Sequence, residues 1–171
     1  GKFQGWGTSF CWWPNRIGYD DKLAKDSAIA FFDKEKGIGL NIARYNIGGG
    51  DDPSHHHITR TDSMVPGYLY KNEETGTFEY DWNSDFNQRN VLRETVKVCD
   101  ELIVEAFSNF PPYFMTYSNC SSGNFDSSKN NLRDDMYDDF ADYMATVMKH
   151  FKDVEGVNFQ SCSPMNEPAT A

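Results

Sequence analysis

Gly37-Ile38-Gly39-Leu40-Asn41-Ile42-Ala43-Arg44-Tyr45-Asn46-Ile47-Gly48-Gly49-Gly50 decides the architecture. Its middle, Leu40 to Ile47, is a short run of strand-forming character. Gly37 and Gly39 precede it; they end a helix and leave only a tight turn before the strand. Behind it, Gly48-Gly49-Gly50 opens a polar stretch that runs to about Ser84. A stretch of that length is unusual in a compact domain and tends to carry function. A short entry into a strand and a long exit from it form a pattern that can be sought along the rest of the chain.

Upstream, Phe3 to Phe10 reads as a first strand. An amphipathic segment follows from about Asp21 to Lys36, with Leu23, Ala24, Ala28, Phe31 and Phe32 at helical spacing. Downstream, Asp85 with Gln88 resembles a capping box ahead of a helix that extends to Ala106, its buried stripe being Leu92, Val96, Cys99, Ile103 and Ala106. Pro111 to Tyr117 is predicted as the third strand, and Ser118 to Asn131 as another polar loop. The next helix is the clearest: Leu132, Met136, Phe140, Tyr143, Val147 and Phe151 step by three or four. Its acids, Asp134 to Asp142, sit near the N-terminus, where the macrodipole favours them, and read as a solvated face. Gly156 to Ser163 is the fourth strand.

The alternation β-α-β-α-β-α-β implies an α/β fold with parallel strands and helical crossovers. A doubly wound sheet satisfies the alternation alone. The loops decide against it: every long one follows a strand C-terminus, while the returns from helix to strand are short. That is how a (β/α)8 TIM barrel sets out its active face. A complete barrel needs about 250 residues, so the 171 residues are expected to form its N-terminal half. The expectation is one partial domain of about four βα units over residues 1–171, with no internal boundary.

A formal charge of -10 excludes the basic surface that nucleic acid requires. Aromatic residues make up 15% of the chain, high for a mean hydropathy of -0.68, so some rings are expected on working surfaces. A neutral, hydroxyl-rich ligand such as a sugar suits both facts. No stretch approaches the roughly 18 apolar residues of a membrane span, and a mature form of an exported protein is expected. Cys11, Cys99, Cys120 and Cys162 lack metal spacing, and Cys99 and Cys162 read as buried thiols. His55-His56-His57 cannot easily converge on one ion and reads as loop or cleft rim.

The sharpest local signal is Ser163-Pro164-Met165-Asn166-Glu167-Pro168, a polar pair at a strand end followed by proline. A carboxyl group there, among aromatic rings, would have its pKa raised toward the acid role that protonating a glycosidic oxygen requires. With Gly5 to Trp13, Asn41 to Gly50 and Phe107 to Met115, this segment resembles, in order, the motifs of glycoside hydrolase family 30. That clan-A family includes glucosylceramidases, endo-xylanases and endo-β-1,6-galactanases, and the opening G-W-G-T-S-F-C-W-W is most like the galactanase branch.

The resemblance implies a retaining glycosidase acting on β-linked polysaccharide, with β-1,6-galactan the favoured substrate. It implies Glu167 as general acid/base, Asn166 as partner of the sugar 2-hydroxyl, Arg44 near the nucleophile and Asp51 as a sugar-binding carboxylate. An arginine midway along a parallel strand would otherwise be a costly buried charge, and a structural ion pair is its competing explanation. Trp12, Trp13 and Phe114 are candidates for stacking on pyranose faces, with Tyr117, Asn119 and Phe125 weaker. Adjacent Trp12 and Trp13 in a strand would point to opposite faces. Asn119-Cys120-Ser121 matches a glycosylation sequon but lies on the presumed active face and is expected unmodified.

Retention requires a second carboxylate about 5 Å from the first. The resemblance puts it on the seventh strand, outside this chain, though Asp20, Asp51 and Asp126 are near enough in the pattern to be considered. The expected partners are therefore a carbohydrate and the C-terminal half of the barrel, in the same or a separate polypeptide, with no metal and no organic cofactor. These residues alone are expected to be inactive. A non-catalytic carbohydrate-binding or interaction half-barrel is the alternative.

Overall fold

In a computed structural model, which describes residues 1–52, 54, 61–121, 123–126 and 128–166, four parallel strands pair in sequence order. They are β1 (Gly7–Ser9), β2 (Ile42–Asn46), β5 (Ile103–Phe107) and β6 (Phe159–Ser163). The helices α1 (Trp13–Ile17), α2 (Asp21–Phe32), α3 (Phe86–Val98) and α4 (Tyr137–His150) fill the connections. A two-stranded antiparallel hairpin, β3 (Leu69–Lys71) and β4 (Phe78–Tyr80), is inserted after β2.

Strand periodicity divides the sheet into two chemistries. Ala43 and Tyr45 of β2, and Val104 and Ala106 of β5, are buried in one core with Phe32 of α2, Leu92 of α3 and Tyr143 and Val147 of α4. The intervening residues, Arg44, Glu105 and Ser161, stand in one register across β2, β5 and β6 on the other face. The apolar face is thus covered by helices, and the polar face is partly exposed.

Each helix obeys its own sequence. Asp20 caps α2 by accepting from the Leu23 amide at 2.9 Å, and Ala24, Ala28 and Phe32 make its buried stripe. The helix stops at Phe32, four residues before the predicted end, because Asp33 turns the chain by accepting from the amides of Glu35 and Lys36. Gly37 is required there: a Cβ would lie 2.1 Å from the Ile29 carbonyl oxygen. Helix α4 passes into a π turn over Phe151–Glu155 and ends at Gly156, whose φ of 70° is the left-handed cap.

Two predicted elements change place. The third barrel strand is Ile103–Phe107, not Pro111 to Tyr117, and α3 ends at Val98 rather than Ala106. Ile103 and Ala106 fit a helical stripe by spacing alone, and a short apolar run fits either period. Pro111 and Pro112 supply no amide donors and lead into a 3-10 turn at Tyr113–Met115. The capping box also fails. Asp85, at φ 53°, makes no backbone cap and turns its carboxylate inward. Leu132 begins no helix but forms an antiparallel bridge with Thr116. The first strand is confined to Gly7–Ser9, within the predicted Phe3 to Phe10. Cys99 is buried as expected, but Cys162 is exposed; it belongs to β6, which among the described residues has a neighbouring strand on one side only.

Candidate active site

Arg44 is the centre of the open face. Its Nε donates to Glu105 Oε1 at 2.7 Å, its Nη1 to Asn166 Oδ1 at 3.1 Å, and its guanidinium carbon lies 3.8 Å from the centre of the Phe107 ring. The charge therefore has a carboxylate, an amide oxygen and a π face around it, which offsets the cost of partial burial. Glu105 Oε2 also accepts from Ser161 Oγ at 3.0 Å, so one carboxylate ties β2 to β6 across β5. The ion pair foreseen as the competing explanation for Arg44 is present, together with a bond into the Asn-Glu-Pro segment.

That segment continues the parallel pairing beyond β6. The Ser108 amide donates to the Ser163 carbonyl at 3.1 Å, and the Asn166 amide to the Ser108 carbonyl at 2.9 Å. Asn166 Nδ2 donates to Asn109 Oδ1 at 3.1 Å, and the Asn109 amide donates to Asn46 Oδ1 at 3.2 Å. Three asparagines from three strand ends thus meet at the rim. Glu167, the predicted acid/base, lies outside the described residues, as do Pro168 and His55, His56 and His57.

The glycines after β2 serve close approach. A Cβ on Gly49 would sit 2.4 Å from the Pro111 carbonyl oxygen, and one on Gly48 would sit 2.4 Å from that of Val65. Tyr113 can therefore donate its amide to the Gly49 carbonyl at 3.3 Å, joining the exits of β2 and β5. A small hollow opens beside this junction, lined by Asn46, Asn109, Phe110 and Ser121 with the three glycines. Asp51 is half-buried nearby, with Ser121 Oγ at 3.5 Å. The Tyr113 phenol is raised by burial and then by the charges of Asp52, Glu73 and Asp51.

The predicted rings separate. Trp12 and Trp13 are not in a strand; Trp12 precedes and Trp13 begins α1, where proline at the next position favours a helix start. Trp13 packs on Phe10 and Phe31 at 5.3 and 5.1 Å between ring centres, and its Nε1 donates to the Ser9 carbonyl. It is part of the helix layer rather than a free stacking surface. Trp12 is half-buried. Phe114 is half-buried, packs on the core and stacks on Phe78 of the hairpin at 5.0 Å. Tyr117 and Phe125 are exposed, and Asn119 is exposed at φ 52°. Asp20 is engaged as a helix cap, and Asp126 holds a turn through Ser128. Among the described residues no group of three or more histidine, cysteine or acidic side chains could hold a metal ion.

Three residues of this constellation were given no role by the sequence: Asn46, Asn109 and Glu105. Glu105 was hidden by its placement in a helix; in strand register it falls opposite Arg44. Asp85 was seen only as a cap. It is buried and accepts from Tyr45 Oη at 2.6 Å, Gln88 Nε2 at 2.6 Å and Tyr68 Oη at 3.2 Å. Burial pushes its carboxyl up to about 7, against these hydrogen bonds and the Arg89 charge, which act downward. The phenols of Tyr45, Tyr68 and Tyr143 are all raised, first by burial.

The sequence profile of O-glycosyl hydrolase family 30 matches residues 2–171. An endo-β-1,6-galactanase of Hypocrea rufa is 30% identical over 189 residues, which cover 100% of this chain and 38% of that protein. An exo-β-1,6-galactobiohydrolase of Bifidobacterium longum subsp. longum is 28% identical over 225 residues, covering 99% of this chain and 14% of its own. The crystal structure of a conserved exported protein from Bacteroides fragilis matches with a TM-score of 0.85 at 26% identity, over 98% of this chain and 35% of that one. The chain thus spans well under half the length of the curated relatives it matches. Its four parallel strands and their helices are the N-terminal half of a (β/α)8 barrel.

Proposed function

The chain belongs to O-glycosyl hydrolase family 30, and on that premise we propose that it contributes the acid/base half of a retaining glycosidase that cleaves β-1,6-galactan. The observation that carries this reading is the bond from Arg44 to Asn166, the residue immediately before Glu167, at the open mouth of the sheet. Two curated relatives, both named for β-1,6-galactan chemistry, support the substrate.

In the proposed reaction Glu167 protonates the glycosidic oxygen while a second carboxylate, carried by the C-terminal half of the barrel about 5 Å away, attacks the anomeric carbon. The bond from that carbon to the leaving oxygen breaks, and a glycosyl-enzyme ester forms. Glu167 then takes a proton from a water whose oxygen attacks the anomeric carbon; the ester bond breaks, the nucleophile's carboxylate is restored and the sugar leaves with its configuration retained. Asn166 Nδ2 uses one hydrogen on Asn109 and keeps the other for the sugar 2-hydroxyl. Arg44 donates its Nε to Glu105 and holds positive charge at the floor of the cleft, favouring the ionised form of the nucleophile. The partners of this chain are then the carbohydrate and the remaining four βα units. Export is proposed too, by analogy with the Bacteroides fragilis protein, which is named as exported.

The test is made on the complete catalytic polypeptide. β-1,6-Galacto-oligosaccharides should be cleaved with retention, read from the anomeric proton signals of the first product. Glu167→Gln should lower kcat on the order of 10²–10⁴-fold and leave oligosaccharide binding nearly intact. Turnover unchanged by that substitution removes Glu167 from the mechanism. Cleavage of β-1,6-glucan or xylan in preference to galactan overturns the substrate.

A further inference from the structure

Strand β1 is too short to pair with the whole of β2. The last bond on the β1 side comes from the Phe10 amide, one residue past β1, which donates to the Arg44 carbonyl at 2.9 Å. The next amide and carbonyl of β2 on that side belong to Asn46, and no residue of β1 reaches them. The side chain of Gln88, from α3, does. Its Oε1 accepts from the Asn46 amide at 3.0 Å and its Nε2 donates to the Asn46 carbonyl at 2.8 Å. A primary carboxamide has the donor and acceptor of a peptide group, so it can occupy the place a neighbouring strand would fill. The second Nε2 hydrogen goes to Asp85 Oδ2, which leaves the amide one orientation. Gln88 is fully buried and Asn46 nearly so, so water is no substitute for either bond.

Beyond Asn46 the chain of contacts runs outward. Asn46 Oδ1 accepts from the Asn109 amide, and Asn109 Oδ1 accepts from Asn166 Nδ2. We propose that Gln88 is a positioning residue of the cleavage site: its carboxamide replaces the missing strand at Asn46 and, through Asn46 and Asn109, sets the side chain of Asn166. Asp85 sets Gln88 in turn. This inference rests on the reading of Asn166 and Glu167 given above. The substrate contacts neither Gln88 nor Asp85; both act through the asparagines.

The experiment compares Gln88→Met, which keeps the volume and removes both bonds to Asn46, with Asp85→Asn, which keeps an acceptor for Nε2. Both are made in the complete catalytic polypeptide, and competent sites are counted with a 2-fluoro-galactosyl reagent that traps the nucleophile. Per trapped site, Gln88→Met should lower kcat on the order of 10–100-fold with little change in KM, as expected when a reacting group is held out of place. Asp85→Asn, which keeps an acceptor for Gln88 but a weaker one, should lower kcat less than Gln88→Met does. Equal kcat per trapped site in Gln88→Met and the parent overturns the proposal; so does a fall in both variants that merely follows lost stability. Crystal structures of parent and Gln88→Met give a readout free of activity. The contacts from the Asn109 amide to Asn46 and from Asn166 to Asn109 should lengthen, and their retention at 3.2 and 3.1 Å overturns the proposal whatever the rates. If the parent cleaves no β-glycan, the functional reading fails, and the two crystal structures alone decide the positioning role.

Discussion

Asp85, buried, and Glu155, half-buried, are two carboxylates moved in opposite directions, and together they shape stability against pH. Asp85 is raised to about 7 from 3.8, so the folded state holds a proton that the unfolded chain releases between those values. Its effect on stability is therefore an increasing cost as pH climbs from about 4 to about 7, amounting to a few kcal/mol at most. Glu155 lies between Arg89 and Arg93 at 2.5 and 2.7 Å, and their hydrogen bonds outweigh burial and lower it to about 2. Its contribution is full above about 4.5 and is lost as pH falls toward 2. Stability should peak near pH 4–5 on the strength of these two groups. Thermal denaturation across pH should show the fall toward neutrality flattened in Asp85→Asn and the acid limb weakened in Glu155→Gln. A parent-like slope between pH 4 and 7 in Asp85→Asn would mean that the carboxyl is ionised throughout that range. Asparagine also accepts the φ of 53° there more readily than most residues do.

The exits of β2 and β5 touch through Gly49, so a methyl group there has to separate two loop backbones. Gly49→Ala should displace the rim and lower turnover more steeply than it lowers the melting temperature. Gly37→Ala, whose new Cβ would meet the Ile29 carbonyl far from the cleft, should cost about 1–3 kcal/mol of stability and leave KM unchanged. If the two variants lose activity and stability in the same proportion, the rim has no special sensitivity. Elements with strict periodicity were legible in the sequence: the stripe of α2 and the Phe140, Tyr143, Val147 run of α4 follow helical spacing in the structure. Strand β5 was not, because Ile103 and Ala106, which lie on opposite faces of the strand, are spaced as a helix would space them, and nothing local marks the break at Val98. Glu105 was lost with it. The Asn-Glu-Pro segment and Arg44 could be found from order and residue type. The route from Gln88 to Asn166 could not, since it joins positions 78 residues apart in the chain through contacts that only the sheet creates.

At the scale of the molecule, one face of the sheet is sealed by helices and the other carries Arg44, Glu105 and Ser161 in a partly exposed layer. Phe3 and Trp6, just before β1, and Ile38, in the turn before β2, are 68%, 73% and 70% exposed, and among the described residues β1 and β6 are paired on one side only. Unpaired strand edges beside apolar side chains favour association. Sedimentation of these 171 residues by themselves should show dimers or larger species that dissociate on dilution, whereas a monomer at all concentrations would show that the edges are already protected. The carboxamide of Gln88 has one further consequence, for the order of assembly. Because α3 completes the pairing of β2, the end of that strand cannot be finished by sheet formation alone; it waits for a helix to dock. Chain collapse and strand pairing can run ahead, but the rim becomes native only in the step that seats α3. The amide of Asn46 should therefore gain protection from hydrogen exchange together with α3, and later than the amides of β2 that precede it.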